Sequence, residues 1–401
     1  MVKALFKHIA LLILPGLFLL GGCIEKFPLE TIQNSGSGSI LGDTNYVEIL
    51  PPIGGFQSPR GMTVGNDQLL YVTDYEQNSL IMLDAGGRVL KTRTILHPTV
   101  VAQNSKLDLY VGGQTIAPNG RDTLGAIYRI YLVRFDTNYV SRIDTFINSS
   151  TGDTTITPVV RDTSYFSYHD LENAPMRIVW SEPARPQRRF TGIGIFPTND
   201  FLVTRTGPDN SSFVDPDSRV MYFDANDVFV TPVPDLVTRP SGGTGITDIR
   251  NLTSILVFPS SRDFIVTQSS EGVSYGALWM IFYLTRDFQG WLPKFDPANP
   301  DQRGVDFIRQ GRFVNPSGIA YDRRRREVFI VDAALDSVVK FDRNGAFRTE
   351  SFGKFKSQSA DFPGLSSPGG IAFSNDCTLY VVDTGNRIIR RFRLSTQTQC
   401  N

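Results

Sequence analysis

One short pattern recurs along this chain and limits what the chain can fold into. Each copy has a segment with an internal glycine, a polar turn, and a second run rich in Val, Ile, Tyr and Leu. Repetition of such runs at a period of about 40 to 50 residues is the signature of propeller blades. The clear copies begin at Ser58, Asn315 and Ser367, and weaker copies lie at 100–113, 196–204 and 258–267. Six copies predict six blades.

The predicted fold class is all-β, a six-bladed β-propeller with four-stranded antiparallel blades. Every copy consists of β-branched and aromatic runs of about four to eight residues, separated by Gly, Pro, Asn, Asp and Ser. Helical apolar spacing does not persist after the N-terminal segment, so helices should be scarce. A blade buries both faces only between two neighbours, which favours a closed ring.

The ring must be closed where the last blade lacks an outermost strand. We predict that Tyr46–Leu50 supplies that strand and pairs with Ile388–Leu394. The propeller domain then spans residues 45–401. An insertion at about 148–189, predicted to form an extra hairpin and a covering loop, links blade two to blade three.

The last copy contains Pro368-Gly-Gly-Ile-Ala, Leu379-Tyr-Val-Val-Asp and Asn386-Arg-Ile, and it resembles the NHL repeat over all three strands. The first and fifth copies match this pattern well. The middle copies match it less, since two of them end the second run in Thr. The resemblance implies a six-bladed propeller. Related six-bladed propellers include calcium-dependent lactonases, whose metal at the channel mouth is held by acidic and Asn side chains.

The N-terminus carries a second signal. Two lysines precede an apolar run at 9–20, which is shorter than the roughly 20 residues of a membrane span and is typical of a secretory signal. The following Leu-Gly-Gly-Cys23 resembles the lipobox of bacterial lipoproteins. That resemblance implies a signal peptide at 1–22 and lipid attachment at Cys23. An ordinary signal peptide with an incidental cysteine is the alternative.

The residues after Cys23 bear on localisation. Ile24, rather than Asp, follows the cysteine, which by the sorting habit of lipoproteins favours the outer membrane, on its periplasmic side or at the cell surface. Residues 23–44 are polar and contain a Ser-Gly run, so we expect a flexible tether between the lipid and the propeller.

Charge and histidine content exclude some functions. Forty basic residues balance forty acidic ones, so nothing favours nucleic acid as a partner. The basic run at 323–326 falls between two strands of blade five, where a solvated hairpin tip is the simpler interpretation and an acidic partner the alternative. The chain has three histidines and one of them lies in the signal segment, so neither a three-His zinc site nor a Ser-His-Asp arrangement is predicted.

Two cysteines remain after Cys23. Cys377 lies between the first two strands of the last blade, and Cys400 follows its third strand. Both positions fall at the same end of that blade, so a disulfide could form in an oxidising compartment and hold the C-terminus. Two unpaired thiols are the alternative.

One face of the predicted ring is enlarged. Turns between second and third strands are long in blades two, three and four, at 114–122, 207–218 and 269–276, and tight elsewhere. Long loops on a rigid scaffold either carry binding sites or have no function of their own. The preferred hypothesis is a lipid-anchored, non-enzymatic protein that binds a protein, glycan or small ligand through these loops, with no cofactor.

The rival hypothesis is a divalent-cation-dependent hydrolase or lyase at the channel mouth. The resemblance to lactonases implies that the cation is calcium. It would be held by the carboxylates at the ends of the second strands and by Asn386. Against it, an Asp at a strand end typically hydrogen-bonds its own turn. Enzyme activity and oligomeric state stay open. The candidate ligand-contacting residues on this face are Asp74, Gln114, Arg205, Gln268, Asp332, Asp383 and Asn386.

Overall fold

The computed structural model describes residues 45–133, 140–148, 150–160, 170–239, 244–269, 271–353, 364–396 and 400. The signal segment, Cys23 and the tether lie outside these residues. The described residues form strands, turns and bends without a helix, and they offer no helix able to cross a membrane.

The first three blades each contain four antiparallel strands. Blade one consists of β2 (Pro59–Val64), β3 (Leu70–Asp74), β4 (Ser79–Leu83) and β5 (Val89–Thr94). Blade two consists of β6 (Leu96–Gln103), β7 (Leu109–Ile116), β8 (Thr123–Ile130) and β11 (Met176–Ser181). Blade three consists of β12 (Arg189–Ile195), β13 (Phe201–Thr206), β14 (Arg219–Phe223) and β15 (Phe229–Pro232).

The other three blades are built in the same way. Blade four consists of β18 (Leu252–Val257), β19 (Phe264–Gln268), β20 (Ala277–Leu284) and β21 (Gln289–Pro293). Blade five consists of β22 (Pro316–Asp322), β23 (Glu327–Asp332), β24 (Ser337–Phe341) and β25 (Phe347–Gly353). Blade six consists of β26 (Ile371–Phe373), β27 (Leu379–Asp383), β28 (Ile388–Leu394) and the N-terminal β1 (Tyr46–Glu48).

The blades form a closed ring. Their first strands contact one another in the order β2, β6, β12, β18, β22, β26 and back to β2. Within the described residues the predicted six-bladed, four-stranded architecture is therefore confirmed. β1 pairs antiparallel with β28, Tyr46 opposite Leu394, so the predicted closing strand is confirmed as well.

In the part of the chain that the structure describes, the core is divided into six apolar clusters, one between each pair of neighbouring blades. Alternate side chains of a strand point to opposite faces. In β3, Tyr71 accordingly packs toward blade two, while Leu70 and Val72 pack toward blade six. Both faces of a second strand are buried, which is why these runs read as continuous apolar sequence.

The repeated glycine of the first strand allows neighbouring blades to approach closely. A Cβ on Gly61 would lie 2.5 Å from the carbonyl oxygen of Thr99 in blade two. A Cβ on Gly370 would lie 2.8 Å from the backbone nitrogen of Met62 in blade one. Any larger residue would push these inner strands apart.

A buried ion network and a disulfide hold the closure. Arg390 donates to Glu48 on β1 at 2.8 Å and to Asp383 on β27 at 2.6 Å, and all three side chains are at most 8% exposed. Cys377 and Cys400 form a disulfide with a Cα–Cα distance of 5.7 Å. The N-terminal strand and the C-terminal segment are thus both tied to blade six.

The inserted segment differs from its predicted position. A hairpin of β9 (Val140–Ile147) and β10 (Thr154–Val160) lies between the third and fourth strands of blade two. Met176–Ser181, which we placed in the insertion, is the outermost strand of that blade and pairs with β8. Elsewhere, β16 (Val237–Thr238) and β17 (Asp248–Ile249) form a short parallel pair between blades three and four.

Replacing the central arginine tests the closure. Arg390→Met should lower the free energy of unfolding by about 3–5 kcal/mol, because two buried carboxylates lose their cation. Urea denaturation measures the free energy of unfolding of each variant. Arg393→Met is the matched control, since Arg393 is 44% exposed and its ion pair with Asp376, at 3.6 Å, is with a carboxylate that is 56% exposed. Equal losses in the two variants would contradict a closing role for Arg390.

Candidate functional site

The face that carries the turns between second and third strands also carries the links between blades, and we call it the loop face. Its turns span only four residues in blades one, five and six, at 75–78, 333–336 and 384–387. In blades two, three and four they are longer, at 117–122, 207–218 and 269–276, of which residue 270 is not described. The structure therefore enlarges the loop face on one side of the ring.

Six of the seven candidate residues lie at or near the end of a second strand. Five of them are the last or next-to-last residue of that strand, and Gln114 lies two residues before the end of β7. All six side chains are buried, at no more than 3% exposure. The six are Asp74, Gln114, Arg205, Gln268, Asp332 and Asp383.

The carboxylates at this position bind backbone N–H groups. Asp332 accepts hydrogen bonds from the N–H groups of residues 314, 315, 334 and 335, the shortest at 2.6 Å. Asp74 accepts from those of Gln57, Ser58 and Gln77. Each carboxylate thus joins the chain entering its blade to the turn that follows the second strand, as a structural cap does.

Asp383 and Asn386 bind each other. The side-chain amide of Asn386 donates to Asp383 Oδ2 at 2.8 Å, and the same carboxylate accepts from Arg390 and from the N–H of Ser366. The pair therefore belongs to the ring closure. No group of three His, Cys, Asp or Glu residues among the described residues is arranged to hold a metal ion.

Gln268 and Gln114 lie at the base of two long loops. Gln268 Nε2 donates to the carbonyls of Gly245 and Tyr275, and its Oε1 accepts from the N–H of Arg250. It therefore fastens the blade-four loop to the segment before β18. In blade two, the carbonyl of Gln114 accepts a 2.7 Å hydrogen bond from the Tyr128 hydroxyl.

Arg205 belongs to a charge network that fixes the blade-three loop, and all of its members except Asp215 are buried. It donates to Glu182 at 2.7 Å and to Asp215 at 2.8 Å. Arg188 donates to the same two carboxylates and to Asp217 at 2.7 Å. Burial opposes the charge of Arg188, but its hydrogen bonds to Asp217, Asp215 and Glu182 outweigh burial and raise its pKa. The loop is thereby clamped to the end of blade two.

The tip of the same loop is exposed and apolar. Phe213 and Val214 are each 84% exposed, the highest values among the large apolar side chains described. Asp209 beside the tip is held by Arg185 at 2.7 Å. Charge pairs thus hold the base of a loop whose apolar end projects into solvent.

The channel along the ring axis is a cavity of about 500 Å³ lined by all six blades. Hydroxyls near its opening on the loop face are engaged between blades. Thr99 donates to the carbonyl of Phe190, Thr191 to that of Leu252, and Ser317 to that of Pro368, at 2.7–2.9 Å. These hydroxyls therefore hold neighbouring first strands together.

Arg60 stands at the same opening. Its guanidinium lies 4.9 Å from the ring centroid of Tyr75, which stacks on His97 with centroids 4.4 Å apart. Arg60, Tyr75 and His97 are absent from the candidate residues predicted from the sequence. Alignment of the repeats offered a signal, because blade one carries Arg where the other copies carry Thr, Ser or Gly.

Comparison with known proteins supports the fold. No protein-family model matches the chain, and no curated protein matches it by sequence. Solved propellers match over 88% of this chain. One is an auxiliary nutrient binding protein from Bacteroides ovatus, at 11% identity, a TM-score of 0.53 and 78% coverage of that chain. A second, provisionally named a gluconolactonase, has 9% identity, a TM-score of 0.52 and 93% coverage. A third, from Thermus thermophilus and provisionally named a glucose dehydrogenase, has 14% identity, a TM-score of 0.50 and full coverage.

Removing one strand-end carboxylate distinguishes a cap from a ligand. Asp332→Ala should lower the free energy of unfolding by at least about 3 kcal/mol, because several backbone N–H groups lose a charged acceptor. Chemical denaturation measures the loss, and Asp287→Ala, at an exposed turn, should change it by less than about 0.5 kcal/mol. The opposite result would have two parts. Asp332→Ala would be as stable as the unmutated protein, and millimolar calcium would raise the melting temperature only when Asp332 is present. That result would assign a cation to this position.

Proposed function

We propose that this chain is a binding protein that uses the loop face of blades two to four to contact a partner, without catalysis. The observation that carries the proposal is the blade-three loop. Its base is fixed by buried ion pairs, and its tip presents Phe213 and Val214 to solvent. Exposed apolar side chains on a rigid support are typical of a surface that binds a partner.

The exposed apolar tip favours, as the binding partner, a protein with an apolar pocket over a glycan or a small ligand. A preorganised loop loses little conformational freedom on binding, so burying its tip contributes more net affinity. Ile116 in blade two, 65% exposed, adds apolar surface to the same side of the loop face. The charges around the tip would form the polar rim of such an interface.

The chemistry of the strand ends weighs against the rival hypothesis of a hydrolase or lyase. Asp74, Asp332 and Asp383 already accept backbone or arginine hydrogen bonds within their own blades. Among the described residues that line the channel, none is a carboxylate, histidine or lysine that could act as a general acid or base. The solved propellers of similar fold include proteins named for binding and others named for enzymes, so the fold itself is compatible with either class.

We further propose that the repeats are NHL-type and that the protein is a lipoprotein of the bacterial outer membrane. The repeat motifs of blades one, five and six support the first part, and the lipobox-like segment ending at Cys23 supports the second. Two or more acyl chains provide lasting attachment to a membrane. A flexible tether over residues 23–44 would have a reach of about 25 Å.

Changing the exposed tip tests the binding face. The double variant Phe213→Ser, Val214→Ser should keep its melting temperature and lose most of its partner binding, because both side chains are almost fully exposed. Chemical cross-linking in intact cells followed by mass spectrometry compares the partners captured by each form. Leu284→Ser, 72% exposed at the end of β20 on the opposite face, is the matched control. An unchanged partner set in the double variant would contradict the proposal.

The lipid anchor has its own test. Cys23→Ser should move the protein from the membrane fraction to the soluble envelope fraction, because the thiol that accepts the lipid is gone. Fractionation and intact-mass analysis of the mature chain measure location and acylation. If the unmutated protein carried no acyl mass, the cysteine would be incidental.

A further inference from the structure

Arg60 breaks the pattern of the ring at a position that other blades use for contacts between strands. At the third position of the first-strand motif the other five blades carry Thr99, Thr191, Thr253, Ser317 and Gly369. Three of the hydroxyls bind the next blade, and beside Gly369 the hydroxyl of Thr384 donates to the carbonyl of Pro59. Arg60 is exposed instead, and no carboxylate of the described residues lies within ion-pair distance of it. A residue that replaces an inter-strand hydrogen bond with an exposed cation indicates a function.

The guanidinium of Arg60 has a fixed support. It lies over the ring of Tyr75, and Tyr75 stacks on His97. His97 adopts a left-handed backbone conformation, with φ of 42°, uncommon for a residue other than glycine. Its N–H donates to Asn78 at 2.8 Å, and its Nδ1 lies 3.2 Å from the Tyr75 carbonyl oxygen. Strained residues that their surroundings hold in place cluster at binding sites.

The charged side chains among the described residues that line the channel are all positive. Arg60 at the loop-face opening and Arg323 at the opposite end are the ionisable side chains among its lining residues, apart from the phenol of Tyr321. Asn315 and Ser367, both exposed, add an amide and a hydroxyl to the same lining. A cleft lined by one sign of charge with low-dielectric walls concentrates ligands of the opposite sign.

From these observations we propose that the channel mouth binds a small anion, whose carboxylate or phosphate group pairs with the guanidinium of Arg60. A planar guanidinium offers two parallel N–H groups to either oxyanion. The cavity of about 500 Å³ admits a small organic molecule and excludes a folded partner. This site lies outside the long loops, so it can exist whether or not they bind a partner.

Isothermal titration with succinate, with its neutral analogue succinamide and with inorganic phosphate tests the site on the full-length protein. Succinate, phosphate or both should bind, and succinamide should not. Arg60→Gln should weaken anion binding about ten- to a hundredfold, the range for losing a charge-assisted pair. The anion that binds more tightly identifies the group that the site takes. The melting temperature of Arg60→Gln should stay close to that of the unmutated protein, because the side chain is exposed.

Two controls locate the anion. Arg121→Gln removes an exposed arginine from the blade-two loop, and Arg323→Gln removes the arginine at the far end of the channel. Both should bind as the unmutated protein does, and so should the Phe213, Val214 double variant. Failure of both anions to bind, binding unchanged in Arg60→Gln, or loss only in Arg323→Gln would each overturn the assignment to Arg60.

Discussion

Closure of the ring is the constraint on which the rest of this structure depends. Every second strand buries both of its faces, so each blade is stable only between two neighbours. The last interface must therefore form between chain segments more than 300 residues apart. β1 supplies the missing strand, Arg390 neutralises a carboxylate on each side, and the disulfide holds the C-terminus nearby. These contacts fix the position of every first strand around the channel.

A consequence of this constraint is that most polar side chains near the axis serve the fold. Thr99 and Ser317 hold adjacent first strands together, and Asp74 and Asp332 hold turns to blade entries. Function is left to the groups that the fold does not use. On the loop face these include the apolar tip at 213–214 and the cation Arg60. The two differ in chemistry: the first suits a protein surface, and the second suits an anion small enough for the channel.

Much of the architecture could be predicted from the repeats, but some of its details could not. Blade count, strand order and the closing strand follow from motifs that reappear at regular spacing. Met176–Ser181 was misplaced because the hairpin β9–β10 separates it from β8, so proximity along the chain no longer indicated pairing. At the candidate site, the sequence was compatible with two roles for the strand-end Asp residues, as structural caps or as cation ligands. The hydrogen bonds of Asp332 show a cap, and such partners are not visible in a linear sequence.

The sequence by itself determined the repeated unit, its alternation of buried side chains and the glycines that let inner strands approach. These are local properties, because the period of a strand and the space for a Cβ depend on a few neighbouring residues. Only the tertiary structure decided which polar groups are already engaged. Arg205 and Arg60 are both arginines on the same face, yet one is buried among carboxylates and the other is exposed at the channel. That difference arises from the neighbours that a closed ring brings together, since distant segments set the burial and pairing of each charge.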